Sequence, residues 1–371
     1  MTKRAPSAHV PLGAAHKRAF RENLLAWYDT ERRDMPWRNT SDPYRIWLSE
    51  VMLQQTRVDQ AEPYYHRFVE RFPTVEELAN ASLDDVLACW EGLGYYSRAR
   101  NLYKAARRIV ESFGGRIPSD EQDIRSLPGV GPYTAAAVLS IAYGKTCPAL
   151  DGNAIRVLTR VFRIGEDANR SATRRRLQEV AAVLMDPARP GAFNQAVMEL
   201  GASVCKPSSP CCGMCPLESV CAAAAQGDPE TFPVSLPRKK TPHFDVAVAV
   251  ISDEAGRLLV CKRPEEAMLG GLWEFPGGKR KPRETLEAAC RRTLQEKWNV
   301  VVETGDLAYR ISHAYSHFRI TMYAFRATIA AGMPCSPEGR SLKWADGDEL
   351  CALAFSKTGR RLIEFIEKQK Y

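Results

Sequence analysis

A group of cysteines is the strongest chemical signal in the sequence. The chain has 11 cysteines, and five fall within "CKPSSPCCGMCPLESVC", residues 205–221. Four of these have the spacing Cys205-x6-Cys212-x2-Cys215-x5-Cys221, and Cys211 is left over. Four thiolates joined by short loops suit a tetrahedral zinc ion or an iron–sulfur cluster, and ligand type alone does not separate the two. The alternative is a chance group of buried thiols.

Glu50 is a candidate acid because it interrupts an apolar stripe. In "YRIWLSEVMLQQT", Ile46, Glu50 and Gln54 are each four residues apart, so a helix places them on one face. A desolvated carboxyl group there favours its neutral, proton-donating form. Such an acid can protonate a leaving base. The alternative is an exposed or ion-paired glutamate.

A glycine- and proline-rich turn, "LPGVGPYTAAAV" (residues 127–138), precedes a predicted helix. Gly129 and Gly131 permit a tight turn with positive φ, and Pro132 suits the first position of a helix. Exposed backbone N–H groups at that helix end would bind a phosphate without reading bases. A purely structural turn between two helices is the alternative.

Asp151 in "PALDGNAIRVLTR" is a second candidate carboxylate, although helix capping alone would explain it.

The pattern of apolar residues divides the chain into two halves. From about Arg18 to Ala225 they recur at helical spacing, which predicts an all-α domain over 18–225. The segment "QGDPETFPVSLPRKKTPH", residues 226–243, contains four prolines and predicts a linker. Strand patterns with one helix at about Glu284–Trp298 then predict a smaller α+β domain over 244–371.

Size and charge narrow the class of protein. A chain of 371 residues can form two or three domains, and a net charge of +8 favours an anionic partner, nucleic acid before membrane. We find neither a signal peptide nor an apolar run long enough to cross a bilayer. These features predict an intracellular protein, cytoplasmic at the nucleoid if bacterial, whose cysteines are thiols or metal ligands.

Five segments together resemble one known family. The segments "WLSEVMLQQTRV", "WEGLGYYSRARNL", "LPGVGPYTA", "LDGNAIRVLTR" and the cysteine loop occur in the order found in adenine DNA glycosylases, the MutY family of the endonuclease III superfamily. The resemblance covers nearly the whole chain. It implies a helix-hairpin-helix glycosylase fold and a [4Fe–4S] cluster with a structural and DNA-contacting role. The implied cluster ligands are Cys205, Cys212, Cys215 and Cys221.

The resemblance also implies catalytic roles. Glu50 would protonate adenine at N7 and later assist a water molecule, and Asp151 would stabilise the oxocarbenium ion. Asn153 and Tyr133 would support that site. In lyase members of the superfamily a lysine stands at the position of Tyr133 and forms a Schiff base with the sugar. Tyrosine cannot form that imine, so we expect base removal without strand cleavage.

A base must leave the duplex before its glycosidic bond can be reached. By resemblance, Gly129 and Gly131 grip the DNA backbone, while Gln55 and Tyr95 fill the stack beside the lesion. The residues implied to line the adenine pocket are Arg33, Met35, Trp37, Arg38 and Gln195. A core tryptophan and solvated arginines are the alternative.

The segment "GGKRKPRETLEAACRRTLQEKWNV" resembles a Nudix box, in which glutamates hold magnesium against a diphosphate. Gly278, Glu284, Arg292 and Glu296 fit that pattern. Thr293 and Lys297 stand where glutamates are expected, and Asn299 replaces a glycine. Because a lysine repels a hard cation, we do not expect hydrolysis.

This second domain is similar to the 8-oxoguanine reader of adenine glycosylases, in which a Phe-Ser-His loop contacts the damaged base. Here "HAYSH" offers Tyr315, Ser316 and His317. Tyrosine can stack as phenylalanine does, so the resemblance implies that the role is kept. A plain loop at the start of a strand is the alternative.

These features predict a monofunctional DNA glycosylase of base excision repair. Its substrate would be double-stranded DNA with adenine opposite 8-oxoguanine or guanine, and it would act as a monomer. Three alternatives stay open: a bifunctional glycosylase and lyase of the endonuclease III type, a Nudix hydrolase of oxidised nucleotides, and a non-catalytic iron–sulfur DNA-binding protein.

Overall fold

The computed structural model describes residues 13–235, 241–315, 318–335 and 341–369, so Ser316 and His317 lie outside the described residues. The described residues form two compact units. One, the helical unit, comprises those of Met1–Glu76 and Lys104–Arg238. The other, the mixed unit, comprises those of Glu77–Tyr103 and Lys239–Tyr371. The units therefore do not follow the linear boundaries predicted from the sequence.

The helical prediction for the first half is confirmed. The α-helices up to residue 225 are α1 (Ala14–Glu31), α2 (Pro43–Met52), α3 (Val58–Arg71), α4 (Val75–Asn80), α5 (Leu83–Trp90), α6 (Ser97–Phe113), α7 (Glu121–Arg125), α8 (Pro132–Tyr143), α9 (Gly152–Val161), α10 (Ser171–Leu184), α11 (Pro190–Ser203) and α12 (Ala222–Ala225). Short 3-10 turns occur at Pro36–Arg38, Cys212–Met214, Glu218–Val220 and Pro229–Thr231.

Local sequence explains where the helices that carry the candidate residues begin. Asp42 caps α2 by accepting a hydrogen bond from the Tyr44 backbone N–H (2.9 Å), with Pro43 at the first position. Helix α8 begins with Pro132 at its first position after Gly131, which makes no side-chain cap, and Gly144 ends it with φ +65°. One core of the helical unit packs buried side chains of α1, α9, α10 and α11 together: Phe20, Leu24, Leu158, Leu177, Phe193 and Leu200.

The first part of the predicted linker packs against the helical unit. Phe232 is 6% exposed, and its carbonyl accepts a hydrogen bond from Arg160 Nε at 3.0 Å. The Val234 carbonyl accepts one from the Ala168 N–H at 3.1 Å. Burying a large aromatic side chain such as Phe232 stabilises the packing of this stretch against the helical unit. The first part of the predicted linker is therefore part of that unit.

The mixed unit contains two sheets, in agreement with the predicted α+β fold. One sheet has the order β4-β1-β6-β5 and the other β3-β2-β7. The strands are β1 (His243–Ile251), β2 (Leu258–Lys262), β3 (Trp273–Glu274), β4 (Gly277–Lys279), β5 (Val301–Ala314), β6 (Arg319–Ala331) and β7 (Leu342–Ala345). Strand β1 runs parallel to β6, and the other pairs are antiparallel.

Three helices complete this unit: α13 (Leu286–Trp298), α14 (Gly347–Ala352) and α15 (Lys357–Lys368). Trp298 and Leu294 of α13 pack with Ala247 in one core, whereas Leu362 of α15 packs with Val248 in another. Alternate residues of β1 thus serve two cores on opposite faces of the sheet. No helix among the described residues is long and apolar enough to span a membrane.

Residues 77–103 belong to the mixed unit because polar contacts join them to its C-terminal part. Lys262 Nζ lies 2.5 Å from Asp84 Oδ1, and Arg100 donates to the Gly270 carbonyl at 2.6 Å. The residues of these pairs are 178 and 170 positions apart in sequence. No local pattern of spacing indicates them.

Candidate active site

Glu50 lies in the last turn of α2 and is only 6% exposed. Its neighbours Trp47 and Val51 are buried as well. Burial, helped by the nearby charge of Asp151, raises the pKa of the Glu50 carboxyl to about 7. The surface alternative for Glu50 is therefore excluded. At neutral pH a substantial fraction of this carboxyl group carries a proton that it can donate.

Tyr133, in the first turn of α8, is the hydrogen-bond partner of Glu50. Its hydroxyl donates to Glu50 Oε2 at 2.5 Å and lies 3.2 Å from Met198 Sδ. Burial, with the nearby carboxylates Glu50 and Asp151, raises the Tyr133 pKa well above its usual value. The phenol therefore stays protonated. Its hydrogen bond lowers the Glu50 pKa and opposes part of the effect of burial.

Asp151 is both a helix cap and a buried carboxylate. One oxygen accepts the Ala154 backbone N–H at 2.7 Å, and the other accepts Asn153 Nδ2 at 2.9 Å. Burial raises the pKa of Asp151, while these hydrogen bonds and Arg156 lower it in part. The prediction that Asp151 caps a helix is therefore confirmed. It does not exclude chemistry, because the same carboxylate lines the cavity described next.

A cavity of about 1350 Å³ joins the ends of α2, α8 and α9 to the side of α11. It is large enough for a base with its sugar. The predicted site residues that line it are Arg33, Met35, Trp37, Arg38, Glu50, Gln55, Gly129, Gly131, Tyr133, Asp151, Asn153 and Gln195. The fold therefore collects in one place residues that are spread over more than 160 positions of the sequence.

Glu199 is a cavity residue that the sequence analysis missed. Its side chain is 1% exposed, and both Arg33 (2.5 Å) and Arg38 (2.7 Å) pair with it. Burial raises its pKa, but the two guanidinium groups outweigh burial, so the pKa lies below its usual value. Arg33 and Arg38 are therefore held in place and are not simply solvated. The same sequence pattern that indicates Glu50 also indicates Glu199, because Glu199 interrupts the apolar segment "AVMELGA".

Gln195, one turn before Glu199 on α11, is oriented by α1. The Tyr28 hydroxyl donates to Gln195 Oε1 at 2.9 Å. With its oxygen engaged in this way, the amide presents its N–H groups as the remaining donors. Trp37 is 7% exposed and contacts Tyr65 edge-on at 5.2 Å, so it is both a core residue and part of the cavity wall.

Arg156 connects the catalytic candidates on α9 to the cysteine loop. It donates to Asn153 Oδ1 at 2.7 Å and to the Cys205 carbonyl at 2.7 Å. The helices α9 and α11 approach closely here, since a Cβ at Gly201 would lie 2.5 Å from that of Asn153. Only glycine permits this approach, and it fixes the position of Asn153.

The four predicted cysteine ligands line one small cavity of about 20 Å³, together with Cys211. Arg160, 1% exposed, donates to Cys205 Sγ at 3.4 Å and to the carbonyls of Lys206 and Pro207. In the described ranges no three His, Cys, Asp or Glu side chains form a group that could hold a single metal ion. The donors fit a soft thiolate-bound group by type and by their common cavity.

The mixed unit carries the other candidates. Tyr95 has φ +50°, and the Arg98 guanidinium lies 5.3 Å from the centre of its ring. The Tyr315 ring stacks on Phe318 at 4.6 Å, and its backbone N–H donates to the Phe318 carbonyl at 2.8 Å. Tyr315 is therefore held within an aromatic pair of its own loop. Ser316 and His317 lie outside the described residues.

The residues of the Nudix-like pattern pair with one another. Arg292 Nε lies 2.6 Å from Glu284 Oε1, and Arg292 also pairs with Glu296 at 2.9 Å. Lys297 Nζ donates to the Gly277 carbonyl at 3.3 Å. The two glutamates thus have a guanidinium partner within the chain, and Lys281 Nζ also lies 3.6 Å from Glu296 Oε1.

Comparisons with known proteins agree with this architecture. Residues 48–182 match the HhH-GPD superfamily of base excision DNA repair proteins, and residues 247–365 match the NUDIX domain. The helical part is similar to a solved thermostable thymine-DNA glycosylase, with 31% identity and a TM-score of 0.53, covering 57% of this chain and 98% of that one. An endonuclease III trapped on DNA, 21% identical with a TM-score of 0.51, covers 58% of this chain and 99% of its own, and shows the shared fold.

Relatives that align over nearly the whole chain show which family it belongs to. The chain is 35% identical to the adenine DNA glycosylase of Rattus norvegicus over 415 aligned residues, covering 98% of this chain and 80% of the relative. The human adenine DNA glycosylase is 34% identical, with 98% and 77% covered. With this similarity extending through both matched domains, the chain belongs to the adenine DNA glycosylase family.

Proposed function

We propose that this protein is a monofunctional DNA glycosylase that removes adenine paired with 8-oxoguanine or guanine. The observation that carries the proposal is Glu50, a buried acid with a pKa of about 7, hydrogen-bonded to Tyr133 at a cavity that Asp151 also lines. An acid and a second carboxylate with different environments are what hydrolysis of a glycosidic bond requires.

In the proposed reaction Glu50 transfers its proton to N7 of the extruded adenine. The bond from C1′ to N9 then breaks, and its electron pair leaves with the base. The Asp151 carboxylate stabilises the positive charge that develops on the sugar, and Asn153 and the Ala154 N–H hold that carboxylate in place. A water molecule adds to C1′ and gives up a proton to the Glu50 carboxylate, which leaves an abasic site and restores the acid.

The proposed pocket would hold the extruded adenine. Gln195 offers amide N–H donors, while Glu199 holds Arg33 and Arg38 at the same wall. Gln55, which has φ +57°, and Tyr95 would occupy the stack beside the lesion. Gly129, with φ +77°, and Gly131 would present backbone N–H groups to a DNA phosphate.

We propose that one monomer binds one DNA duplex. The proposed location is inside the cell, at the nucleoid if the source is bacterial. The net charge of +8 supports salt-dependent binding to DNA. Tyr315, Ser316 and His317 are proposed to contact 8-oxoguanine on the opposite strand. Contacts from the mixed unit to 8-oxoguanine would select the mispair over an ordinary A:T pair, which contacts to adenine alone do not do.

The test is single-turnover excision from a labelled duplex with adenine opposite 8-oxoguanine, guanine or thymine, with and without alkali. We expect cleavage after alkali for the first two only. Cleavage without alkali would instead identify a glycosylase with lyase activity and would overturn the assignment of Tyr133. No excision from any duplex, despite tight binding, would leave a DNA-binding protein.

Replacing Tyr133 by phenylalanine tests how the acid is tuned. Its hydrogen bond lowers the Glu50 pKa, so removing the hydroxyl should raise that pKa above about 7. The pH at which excision declines should then move upward, and the maximal rate should fall about tenfold because a positioning hydrogen bond is lost. Tyr143→Phe is the matched control, since Tyr143 on the same helix donates to the Ile117 carbonyl. An unchanged pH profile in Tyr133→Phe would contradict this role.

We further propose that Cys205, Cys212, Cys215 and Cys221 hold a [4Fe–4S] cluster, which would support the loop and its contact with DNA. Cys215→Ser should lower the iron and acid-labile sulfide content of the purified protein and weaken its binding to DNA by about 10–100-fold. Cys211→Ser is the matched control and should keep both. Zinc without sulfide in the wild-type protein, or equal loss in both variants, would contradict the assignment.

A further inference from the structure

Arg160, in the last turn of α9, is a buried arginine whose side chain reaches the cysteine loop. It is 1% exposed. All three nitrogen atoms of its guanidinium donate to backbone carbonyls, those of Phe232 (3.0 Å), Lys206 (2.7 Å) and Pro207 (2.9 Å). The position of this guanidinium is therefore fixed by three points of the backbone, two of them between the first and second candidate cysteine ligands.

The positive charge of Arg160 is not paired with a carboxylate. Among the described residues no carboxylate forms an ion pair with it, whereas Arg163, just beyond the same helix, pairs with Asp228. Glu218 lines the cysteine cavity with Arg160 but is exposed. A charge removed from water is costly unless an opposite charge compensates it, and neutral carbonyls do so only in part. The burial of Arg160 therefore indicates an anion beside it.

The cysteine cavity is where such an anion would lie. Arg160 Nη1 also donates to Cys205 Sγ at 3.4 Å, and Arg160 lines the same cavity as all four candidate ligands. Cysteine binds metals as the thiolate. Four thiolates carry more negative charge than Zn²⁺ or an oxidised [4Fe–4S] core offsets, so either group is an anion as a whole. The guanidinium thus lies against the side of the loop where negative charge would be concentrated.

The other cations near the loop make different contacts. Arg156, one turn before Arg160 on α9, donates to the carbonyl of Cys205 at 2.7 Å, which is a neutral acceptor. Lys206 is exposed. Arg160 therefore combines burial of its charge with a direct hydrogen bond to a ligand sulfur.

We infer that Arg160 is a positioning residue that holds the cysteine loop in shape and supplies the buried counter-charge of the thiolate-bound group. The inference rests on the proposed function, which assigns the four cysteines to a [4Fe–4S] cluster. It adds a residue outside the ligand set that retains this group and influences its redox potential. The shape of the loop depends on the planar fork of donors, whereas the counter-charge depends only on the positive charge.

The first test is the rate at which the purified protein releases iron to a chelator. Arg160→Gln loses the charge, whereas Arg160→Lys keeps the charge and loses the fork. Arg160→Gln should release iron about 10–100-fold faster than wild type, which is the usual effect of removing a residue that supports a metal ligand. Arg160→Lys should release it only severalfold faster. Arg163→Gln is the matched control and should behave as wild type, because Arg163 pairs with Asp228.

The midpoint potential of the cluster, measured by voltammetry of the protein on an electrode, is a readout that a merely structural role would not move. A positive charge beside the cluster stabilises its reduced, more negative state. Losing one hydrogen bond from a charged group changes an equilibrium about tenfold, which is about 59 mV for one electron. Arg160→Gln should therefore have a midpoint potential lower by this amount, and Arg160→Lys should keep the wild-type potential.

Circular dichroism and thermal melting establish that each variant is folded. Equal release from the glutamine and lysine variants, or wild-type release and potential in a folded Arg160→Gln protein, would overturn the inference. If Arg160→Gln does not fold, Arg160→Lys decides. Severalfold faster release with an unchanged potential then supports the inference, and release at the wild-type rate overturns it.

The metal found in the wild-type protein separates this inference from the proposed function. If it is zinc without sulfide, the proposed cluster is wrong. The inference still holds if zinc is released fastest from Arg160→Gln, more slowly from Arg160→Lys and at the wild-type rate from Arg163→Gln. If the wild-type protein holds an iron–sulfur cluster whose release is independent of Arg160, the cluster assignment stands and the inference is overturned. A wild-type protein that binds neither metal would overturn both.

Discussion

Replacing Glu50 by glutamine should lower the single-turnover rate of adenine excision by about a thousandfold. Glutamine has nearly the same shape and can still accept the hydrogen bond from Tyr133, but it has no proton to transfer. In the wild-type protein the rate should fall as the pH rises through about 7, because the acid form of Glu50 disappears there. The variant's residual rate should lack this decline. Glu70→Gln, at an exposed position of α3, is the control.

The same substitution should stabilise the protein at alkaline pH. The folded pKa of Glu50 is about 7 and its ordinary value 4.5, so between these values the folded state binds more protons than the unfolded state. Stability therefore falls as the pH rises through this window, by about 3 kcal/mol in total. Glutamine does not ionise and escapes that loss.

The expected result is a higher melting temperature for Glu50→Gln than for wild type at pH 8, and a much smaller difference at pH 5. A variant that retains most of its activity would show that Glu50 is a buried structural residue. A melting temperature that is lower at pH 8 would show that its carboxyl group is not desolvated in solution.

The second large effect is expected at Asp151. Asparagine there should keep the helix cap, because asparagine and aspartate cap helices about equally well. It cannot supply the negative charge opposite the developing cation, so the single-turnover rate should fall about a thousandfold. The melting temperature at neutral pH should not fall below that of wild type, because burial disfavours the ionised Asp151 carboxylate and asparagine does not ionise. Asp151→Ala removes both the charge and the bond to the Ala154 N–H, and should also lower stability by about 1 kcal/mol.

Comparing the two variants separates capping from catalysis. If asparagine preserves the excision rate and only alanine lowers it, the capping role accounts for the residue and the second carboxylate must be sought elsewhere. Circular dichroism and thermal melting of both proteins, measured beside the excision rates, distinguish these outcomes.

The sequence by itself determined the architecture and the chemical types at the site. The apolar residues recur at helical spacing in the first half and in strand patterns in the second, because one face of each helix or strand must be buried. The structure has helices in the first half and strands in the second. Glu50 was recognisable because a carboxyl group inside an apolar stripe is desolvated whatever packs against that stripe. The capping role of Asp151 and the turn at Gly129 also depend only on residues a few positions away.

The pairings between distant residues were decided by the tertiary structure. The contact from Tyr133 to Glu50 joins residues 83 apart, and Glu199 meets Arg33 across 166 positions. Such pairs depend on how closely helices approach, as Gly201 shows at the crossing of α9 and α11. Local spacing contains no information on that approach.

The division into units has the same origin. Residues 77–103 read as part of the helical half, yet Glu91 and Tyr96 contact Phe355 and Arg360. Helical periodicity states which face of α5 or α6 must be covered but not which part of the chain covers it. Only the folded chain, in which Arg360 and Glu91 form a bidentate ion pair across 269 positions, decides that residues 77–103 belong with the mixed unit.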